Sequence, residues 1–297
     1  MRRRLPVLLL AWPLCSCAAA ENDGGAPPLL IEGFRNHTPE IRLTVNGRKE
    51  GLFLFDTGAD SAITQDLLSN LGLAEGDTSQ VTAPTSVVGT KGAHGVTLSS
   101  AGHLVSSGEA LVVPSGGIGG DAAVKGAIGL DYLKGAIVVF DYANRRIRKI
   151  SENEYSLPKE CSVVDMKYYR PIIVQAAING VSGDFMIDSG AEGFVYLYET
   201  FWAAHPEVFS ARGKAFVEVA RGLDGPVGGG REEGGTLTLG DYRADLPEIT
   251  LIGGEPGGAL AGRLSGIIGA PLFEAFKVTL DSIGRRMILE PATPASR

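Results

Sequence analysis

Cysteine is nearly missing from this chain: of 297 residues only three are Cys, and two of those, Cys15 and Cys17, fall within the first twenty. Past that leader Cys161 stands alone, which excludes a fold stapled by internal disulfides. Its place in an inter-domain connection, remote in sequence from any His, fits an inert thiol better than a nucleophile. The four His, at 37, 94, 103 and 205, lack ligand spacing, so neither a metal nor a cofactor is implied. Basic charge is scarce as well. Lys and Arg number 27 against 34 acids, for a formal net charge of −7; without residues 1–20, which hold three Arg and no acid, the charge is −10. With no basic stripe, nucleic acid is excluded as a partner. What is plentiful is Gly, 41 residues. They cluster in 115–120, 222–235 and 253–266 and read as loops and hairpin tips. A chain that is 44% hydrophobic and 21% charged is a folded one with enough residues for a substantial core.

Two stretches nearly repeat one another: Leu54-Phe55-Asp56-Thr57-Gly58-Ala59-Asp60 and Met186-Ile187-Asp188-Ser189-Gly190-Ala191-Glu192. Each is an apolar run that ends in Asp-[Thr/Ser]-Gly-Ala-acid. The likeness extends on both sides. Upstream, Ile41 to Gly47 and Ile173 to Gly180 are β-like segments closing on Asn-Gly, a strong hairpin signal, whose return strand runs into the Asp. Downstream, Gly126-Ala127-Ile128-Gly129 answers Gly266-Ile267-Ile268-Gly269, each followed by a helical turn and a strand ending in Asp141 or Asp281. The spacing from Asp to the last Gly is 73 residues in the first copy and 81 in the second. The chain is thus a duplication of a unit of about 115 to 130 residues, a common domain size. Asp141 and Asp281 each precede a turn and a basic pair, which favours Asx-turn structure over catalysis.

In this order of motifs the chain resembles the aspartic proteases, specifically their bacterial retropepsin-like branch, over nearly all of residues 38–291. The resemblance implies an all-β protein of two retropepsin/pepsin-like β-barrel lobes related by a pseudo-twofold axis, with a few short helices. It further implies Asp56 and Asp188 as joint acid and base, Thr57 and Ser189 as hydroxyls locking the two turns across the axis, and Gly58 and Gly190 as turn formers whose N–H groups bond the carboxylates. Ile128-Gly129 and Ile268-Gly269 would thread a ψ-shaped loop beneath each turn. Ala59, Asp60, Ala191 and Glu192 become candidate substrate contacts. Retroviral enzymes carry an Arg after the apolar-apolar-Gly, and here Leu130 and Ala270 stand instead, so Asp60 is left without its usual partner. Pepsins carry Ser or Thr where this chain has Ala59 and Ala191, and the loss of a donor to the ionised Asp implies a pH optimum less acidic than pepsin's.

Each half should carry a Gly-rich flap, Ser86 to Ala93 with Gly89 and Gly92 as possible substrate contacts in the first and Glu218 to Gly230 in the second. Gly116 to Gly120 spells a flap tip but sits too late in the chain and reads as a loop; no Tyr occurs between Asp56 and Asp131, so a pepsin-type flap Tyr is lacking. Short helices are expected at 65–72, 198–204 and 271–276.

Arg2-Arg3-Arg4 followed by the apolar stretch 5–14, too short to span a bilayer, reads as an export signal. Leu14-Cys15-Ser16-Cys17 offers a lipobox with Cys17 as the lipidated residue, and Ala18-Ala19-Ala20 offers an ordinary cleavage site. The resulting layout is a signal peptide at 1–20, a tether at 21–37, one lobe at 38–150, a connection at 151–167, a second lobe at 168–291 and a tail at 292–297. Expected is an exported, monomer-competent bacterial endopeptidase of the periplasm or outer envelope. It acts on polypeptide and meets the membrane only through a lipid anchor; the alternative is an inactive peptide-binding envelope lipoprotein that kept the fold.

Overall fold

A computed structural model describes residues 27–82, 85–209, 217–223 and 225–292. Residues 1–20, read above as a signal peptide and including Cys17, and the tail after 292 lie outside them. The protein is mostly β, and the strands join into one large mixed sheet.

The first half holds β1 (Leu29–Arg35), β2 (Thr38–Val45), β3 (Lys49–Phe55), β4 (Ala62–Thr64), α1 (Gln65–Leu71), β5 (Glu75–Thr82), β6 (Val87–Ser100), β7 (His103–Val113), β8 (Val124–Ile128), α2 (Leu130–Leu133), β9 (Ile137–Asp141) and β10 (Arg146–Ile150). The second holds β11 (Ser162–Tyr169), β12 (Ile172–Ile178), β13 (Val181–Asp188), β14 (Val195–Leu197), α3 (Glu199–Trp202), β15 (Val217–Gly222), β16 (Gly225–Glu233), β17 (Thr236–Leu239), β18 (Tyr242–Asp245), β19 (Glu248–Ile252), β20 (Gly266–Gly269), α4 (Pro271–Ala275), β21 (Phe276–Asp281) and β22 (Arg286–Pro291). The order repeats, with one difference. The long β6 and β7 of the first half answer to the broken pairs β16/β17 and β18/β19 of the second, where Gly234 and Gly235 at positive φ interrupt the strand.

Pairing repeats too. β3 runs parallel to β8 and β13 to β20, while β4 and β14 pair antiparallel with those same partners. Both Asn-Gly sites turn hairpins as the spelling requires, with Asn46 and Asn179 at φ 50° and 51°. Between the halves, β1, β10, β9, β21, β22 and β11 form an antiparallel run in that order. At its middle Val139 pairs with Thr279, each being the other's counterpart in the repeat, so the twofold relation of the halves passes through that pair.

Two boundaries differ from the sequence reading. Residues 29–35, assigned to the tether, form β1, because Leu29 and Ile31 alternate inward and are buried against β10 and β2. Residues 162–167, assigned to the connection, begin β11, which pairs with β22. The short helices fall where expected: α1 ends at Gly72 in the left-handed conformation, and α4 starts on Pro271. The 116–120 run is a loop, as read, with Gly119 against Arg35 and Leu54.

One buried cluster extends through both halves, with Phe55, Phe140 and Phe273 in edge-on contact at 5.1 Å. This aromatic stack underlies β3 at the point where the strand delivers Asp56.

Candidate active site

Leu52 to Phe55 and Phe185 to Ile187 are nearly continuous apolar runs because β3 and β13 are interior strands, each flanked on both sides. Interior position fixes where each strand ends. Asp56 N–H donates to the Ile128 carbonyl at 2.8 Å, and Asp188 closes the parallel ladder opposite Gly269.

Each Asp then turns back on itself. Gly58 N–H donates to Asp56 Oδ1 and Gly190 N–H to Asp188 Oδ1, both at 2.8 Å. The two turns face one another. A Cβ on Gly58 would lie 2.5 Å from the Asp188 carboxyl, and one on Gly190 would lie 2.6 Å from Asp56 Cγ. Both glycines lie in the turns, neither at positive φ, and glycine is required there because the opposite carboxyl fills the space a methyl would take.

Thr57 and Ser189, both wholly buried, cross between the turns. Thr57 N–H donates to Ser189 Oγ at 3.0 Å and Ser189 N–H to Thr57 Oγ1 at 2.9 Å. The hydroxyls donate onward, Thr57 Oγ1 to the Ile187 carbonyl at 3.1 Å and Ser189 Oγ to the Phe55 carbonyl at 2.8 Å. Four bonds therefore tie the half that carries one Asp to the half that carries the other.

Beneath the turns, Leu130 N–H donates to the Ala59 carbonyl and Ala270 N–H to the Ala191 carbonyl, each at 2.8 Å. Gly129 and Gly269 permit that approach, since a Cβ on either would fall 2.2 Å from Ala59 O or 2.5 Å from Ala191 O. Ile128 and Ile268 are buried on the core side of the same strands.

Asp56 and Asp188 act on one another, and both carboxyl pKa values are raised. For Asp188 the rise is large; burial is the first cause and the charge of Asp56 the second, with the Gly190 and Ala191 N–H groups pulling the other way. Asp56 is raised by burial and held back by the Gly58 N–H, by Asp188 and by the Ala59 N–H. The pair therefore retains one proton to higher pH than a lone carboxyl.

Asp60 and Glu192 find partners that the sequence did not reveal. Asp60 accepts from Arg170 Nη2 at 2.6 Å, and Glu192 accepts from Asn36 Nδ2 at 2.6 Å. Asn36 and Arg170 occupy the matching turns β1–β2 and β11–β12, so each post-turn acid is held by a hairpin tip of the other half. No sequence signal marks them, since Phe34-Arg35-Asn36-His37 and Tyr168-Tyr169-Arg170-Pro171 share no residue at matching places. His37 adds a further link at 2.8 Å to Glu274 of α4. Ser61 was also missed: its hydroxyl accepts from Gly129 N–H at 3.0 Å, and its own N–H donates to Asp131.

Other candidates lie apart. Gly89 and Gly92 sit along β6, not at the hairpin tip, and β5 supplies the partner strand that the polar sequence 75–82 concealed. Asp141 and Asp281 accept from turn N–H groups, in keeping with Asx-turn roles. Cys161 donates to the Pro158 carbonyl, with burial raising its pKa. Among the described residues no group of three or more His, Cys, Asp or Glu could hold a metal, and no described helix is long and apolar enough to cross a membrane.

Comparison with protein-family models and with curated proteins found no match.

Proposed function

We propose that this chain is a single-chain aspartic endopeptidase of the retropepsin-like kind, two β-barrel lobes each supplying one carboxyl to a shared catalytic pair. The observation that carries the reading is the facing of the Asp56 and Asp188 turns, locked by the reciprocal Thr57 and Ser189 bonds. Two carboxyls so placed can hold a single proton between them, which is the arrangement needed to activate water and stabilise an oxyanion together.

The ionised member of the Asp56–Asp188 pair takes a proton from a water held between the carboxyls, and the water oxygen bonds to the peptide carbonyl carbon. The protonated member gives its proton to the carbonyl oxygen, so the tetrahedral adduct is neutral. On collapse the C–N bond breaks as the nitrogen takes the proton held by the pair, a hydroxyl of the adduct gives its proton back to the pair as the new C=O forms, and the products are an acid and an amine. The enzyme returns with one proton on the pair.

The N-terminal segment supports export, with either lipid attachment at Cys17 or cleavage after Ala20. Fractionation of Cys17→Ser separates the two, since lipid attachment requires release from membranes in the variant.

The deciding experiment is hydrolysis of an unfolded polypeptide from about pH 3 to about pH 8. A bell-shaped profile, abolished in Asp56→Asn and in Asp188→Asn and blocked by a statine-type mimic, is the expected result. No hydrolysis by well-folded wild type would leave the fold as a peptide-binding scaffold.

A further inference from the structure

Tyr142 follows β9 immediately and is 5% exposed. Its ring stacks on Phe273 at 5.5 Å and meets Phe34 at 5.1 Å, contacts that a phenylalanine would make as well. What a phenylalanine lacks is the hydroxyl, and that oxygen is sealed from solvent with no partner in full hydrogen-bond geometry. A buried phenol left so is a net cost, and buried Tyr hydroxyls are as a rule paired. Burial first, and then the charge of Glu274, hold the Tyr142 pKa well above that of a free phenol, while hydrogen bonding with Ser189 pulls it back. Glu274 acts through its charge and is engaged with His37 at 2.8 Å, so among the described residues Ser189 is the acceptor within reach of this hydroxyl.

Ser189 has room for it. A hydroxyl offers one proton and two lone pairs. The proton goes to the Phe55 carbonyl at 2.8 Å and one lone pair accepts from Thr57 N–H at 3.0 Å, which leaves one lone pair open. Ser189 follows Asp188, and the carbonyl it holds belongs to the residue before Asp56. A donor on Ser189 Oγ thus acts beside both carboxyl-bearing turns, and it strengthens the onward bond to Phe55 because donors in a chain polarise one another. The repeat does not supply this twice. Tyr142 answers to Ser282, whose Oγ lies 2.8 Å from the Leu133 carbonyl and 2.9 Å from that of Ala136 and accepts from Ala136 N–H at 3.0 Å, so its bonds go to the α2–β9 turn and not to Thr57.

We propose that Tyr142 is a positioning residue for the carboxyl pair: its hydroxyl donates to the open lone pair of Ser189 Oγ and holds the Ser189 hydroxyl on the Phe55 carbonyl, fixing the Asp56 turn against the Asp188 turn from one side. The consequence for catalysis rests on the peptidase reading. The bond itself does not.

Tyr142→Phe keeps the ring and removes only the hydroxyl. With the hydroxyl bonded, the equilibrium constant for unfolding in urea should rise about three- to tenfold, the net worth of one hydrogen bond. A variant as stable as wild type, or more so, means an orphan hydroxyl and overturns the proposal. In a Ser189→Ala background the same change should cost little, because the acceptor is already gone; if Ser189→Ala fails to fold, the single variant decides. On an unfolded polypeptide, Tyr142→Phe should lower kcat about three- to tenfold at unchanged KM, the signature of a group that sets the carboxyls and does not touch substrate. Tyr132→Phe is the control: Tyr132 lies edge-on to Phe55 at 5.4 Å, its hydroxyl pKa is pushed up to about 12 by burial with no part played by Ser189, and kcat and KM should both hold. An unchanged kcat in Tyr142→Phe makes the hydroxyl structural only and overturns the positioning role while the peptidase reading stands. A lowered kcat with full additivity against Ser189→Ala assigns the effect to another contact and overturns it too. A wild type that hydrolyses nothing sinks the peptidase reading and with it the catalytic consequence, and the unfolding cycle still decides the bond.

Discussion

Replacing Thr57 by Val keeps the shape of a wholly buried side chain and deletes one hydroxyl. Two bonds disappear: Ser189 N–H loses its acceptor at 2.9 Å, and the Ile187 carbonyl loses its donor at 3.1 Å. The buried N–H left unpaired costs about 1–3 kcal/mol and the lost neutral hydrogen bond about 1 kcal/mol more, a destabilisation of about 2–4 kcal/mol. Ser189→Ala should lose a similar amount, because Thr57 N–H and the Phe55 carbonyl are stranded in the same way. Thr57→Ser is the internal control; it retains the hydroxyl and gives up one methyl, worth about 1 kcal/mol. The assay is equilibrium unfolding in urea, read at constant m. The double variant should lose less than the sum, since all four bonds cross one interface and the second loss acts on an interface already loosened. A Thr57→Val protein within about 0.5 kcal/mol of wild type would refute the claim that these bonds hold the turns together.

Asp188→Asn should abolish hydrolysis as completely as Asp56→Asn, with the double variant little worse, as groups acting in one unit require. The same change reshapes stability against pH. Both carboxyl pKa values are raised in the folded chain, so wild type is most stable with the pair protonated and loses stability as pH climbs from the unfolded carboxyl range, about 3.9, through the folded values. Asp188→Asn should flatten that decline and be no less stable than wild type at neutral pH, which thermal melts across pH will measure. Gly129→Ala presses a methyl to 2.2 Å from a backbone carbonyl of the Asp56 turn, and its loss in urea unfolding should reach or exceed the top of the usual overpacking range of about 1–3 kcal/mol. Arg170→Ala breaks a pair in which both side chains are 43% exposed; solvent screening limits its loss to about 0–1 kcal/mol, and a larger one would show that this tip does more than tie Asp60.

The parts that were legible in the sequence are those where one residue type has one physical reason to be present. Asn-Gly fixed both hairpins, Pro271 and Gly72 bounded helices, and the doubled Asp turns with their matched Ile-Gly elements marked the pair before any coordinates. Contacts made between sequence-distant polar residues were illegible. Arg170 reaches Asp60 across 110 positions through a hairpin tip that carries no motif, and β5 is polar enough to hide as a loop because its hairpin stands away from the core. The second reason for Gly58 was illegible for a related cause: the sequence marks a turn glycine, and only the facing Asp188 carboxyl shows that the space beside it is also needed. The start of the fold was misplaced because Leu29 and Ile31 supply only two inward positions beside a Gly- and Pro-rich stretch.

The pairing of Val139 with Thr279 sets a ruler for the chemistry above it. Strands can shift against one another only in whole residues, about 3.4 Å at a time, and an odd step exchanges the faces of every side chain. Sharing a proton tolerates a misplacement of only a few tenths of that step. The pairing of β9 with β21 thus digitises the offset between the two halves: neighbouring settings are too coarse to be reached by breathing, and the one in use sets the Asp56 turn against the Asp188 turn. Alignment that a two-chain assembly must find again at every encounter is here written into strand register, once, when the chain folds.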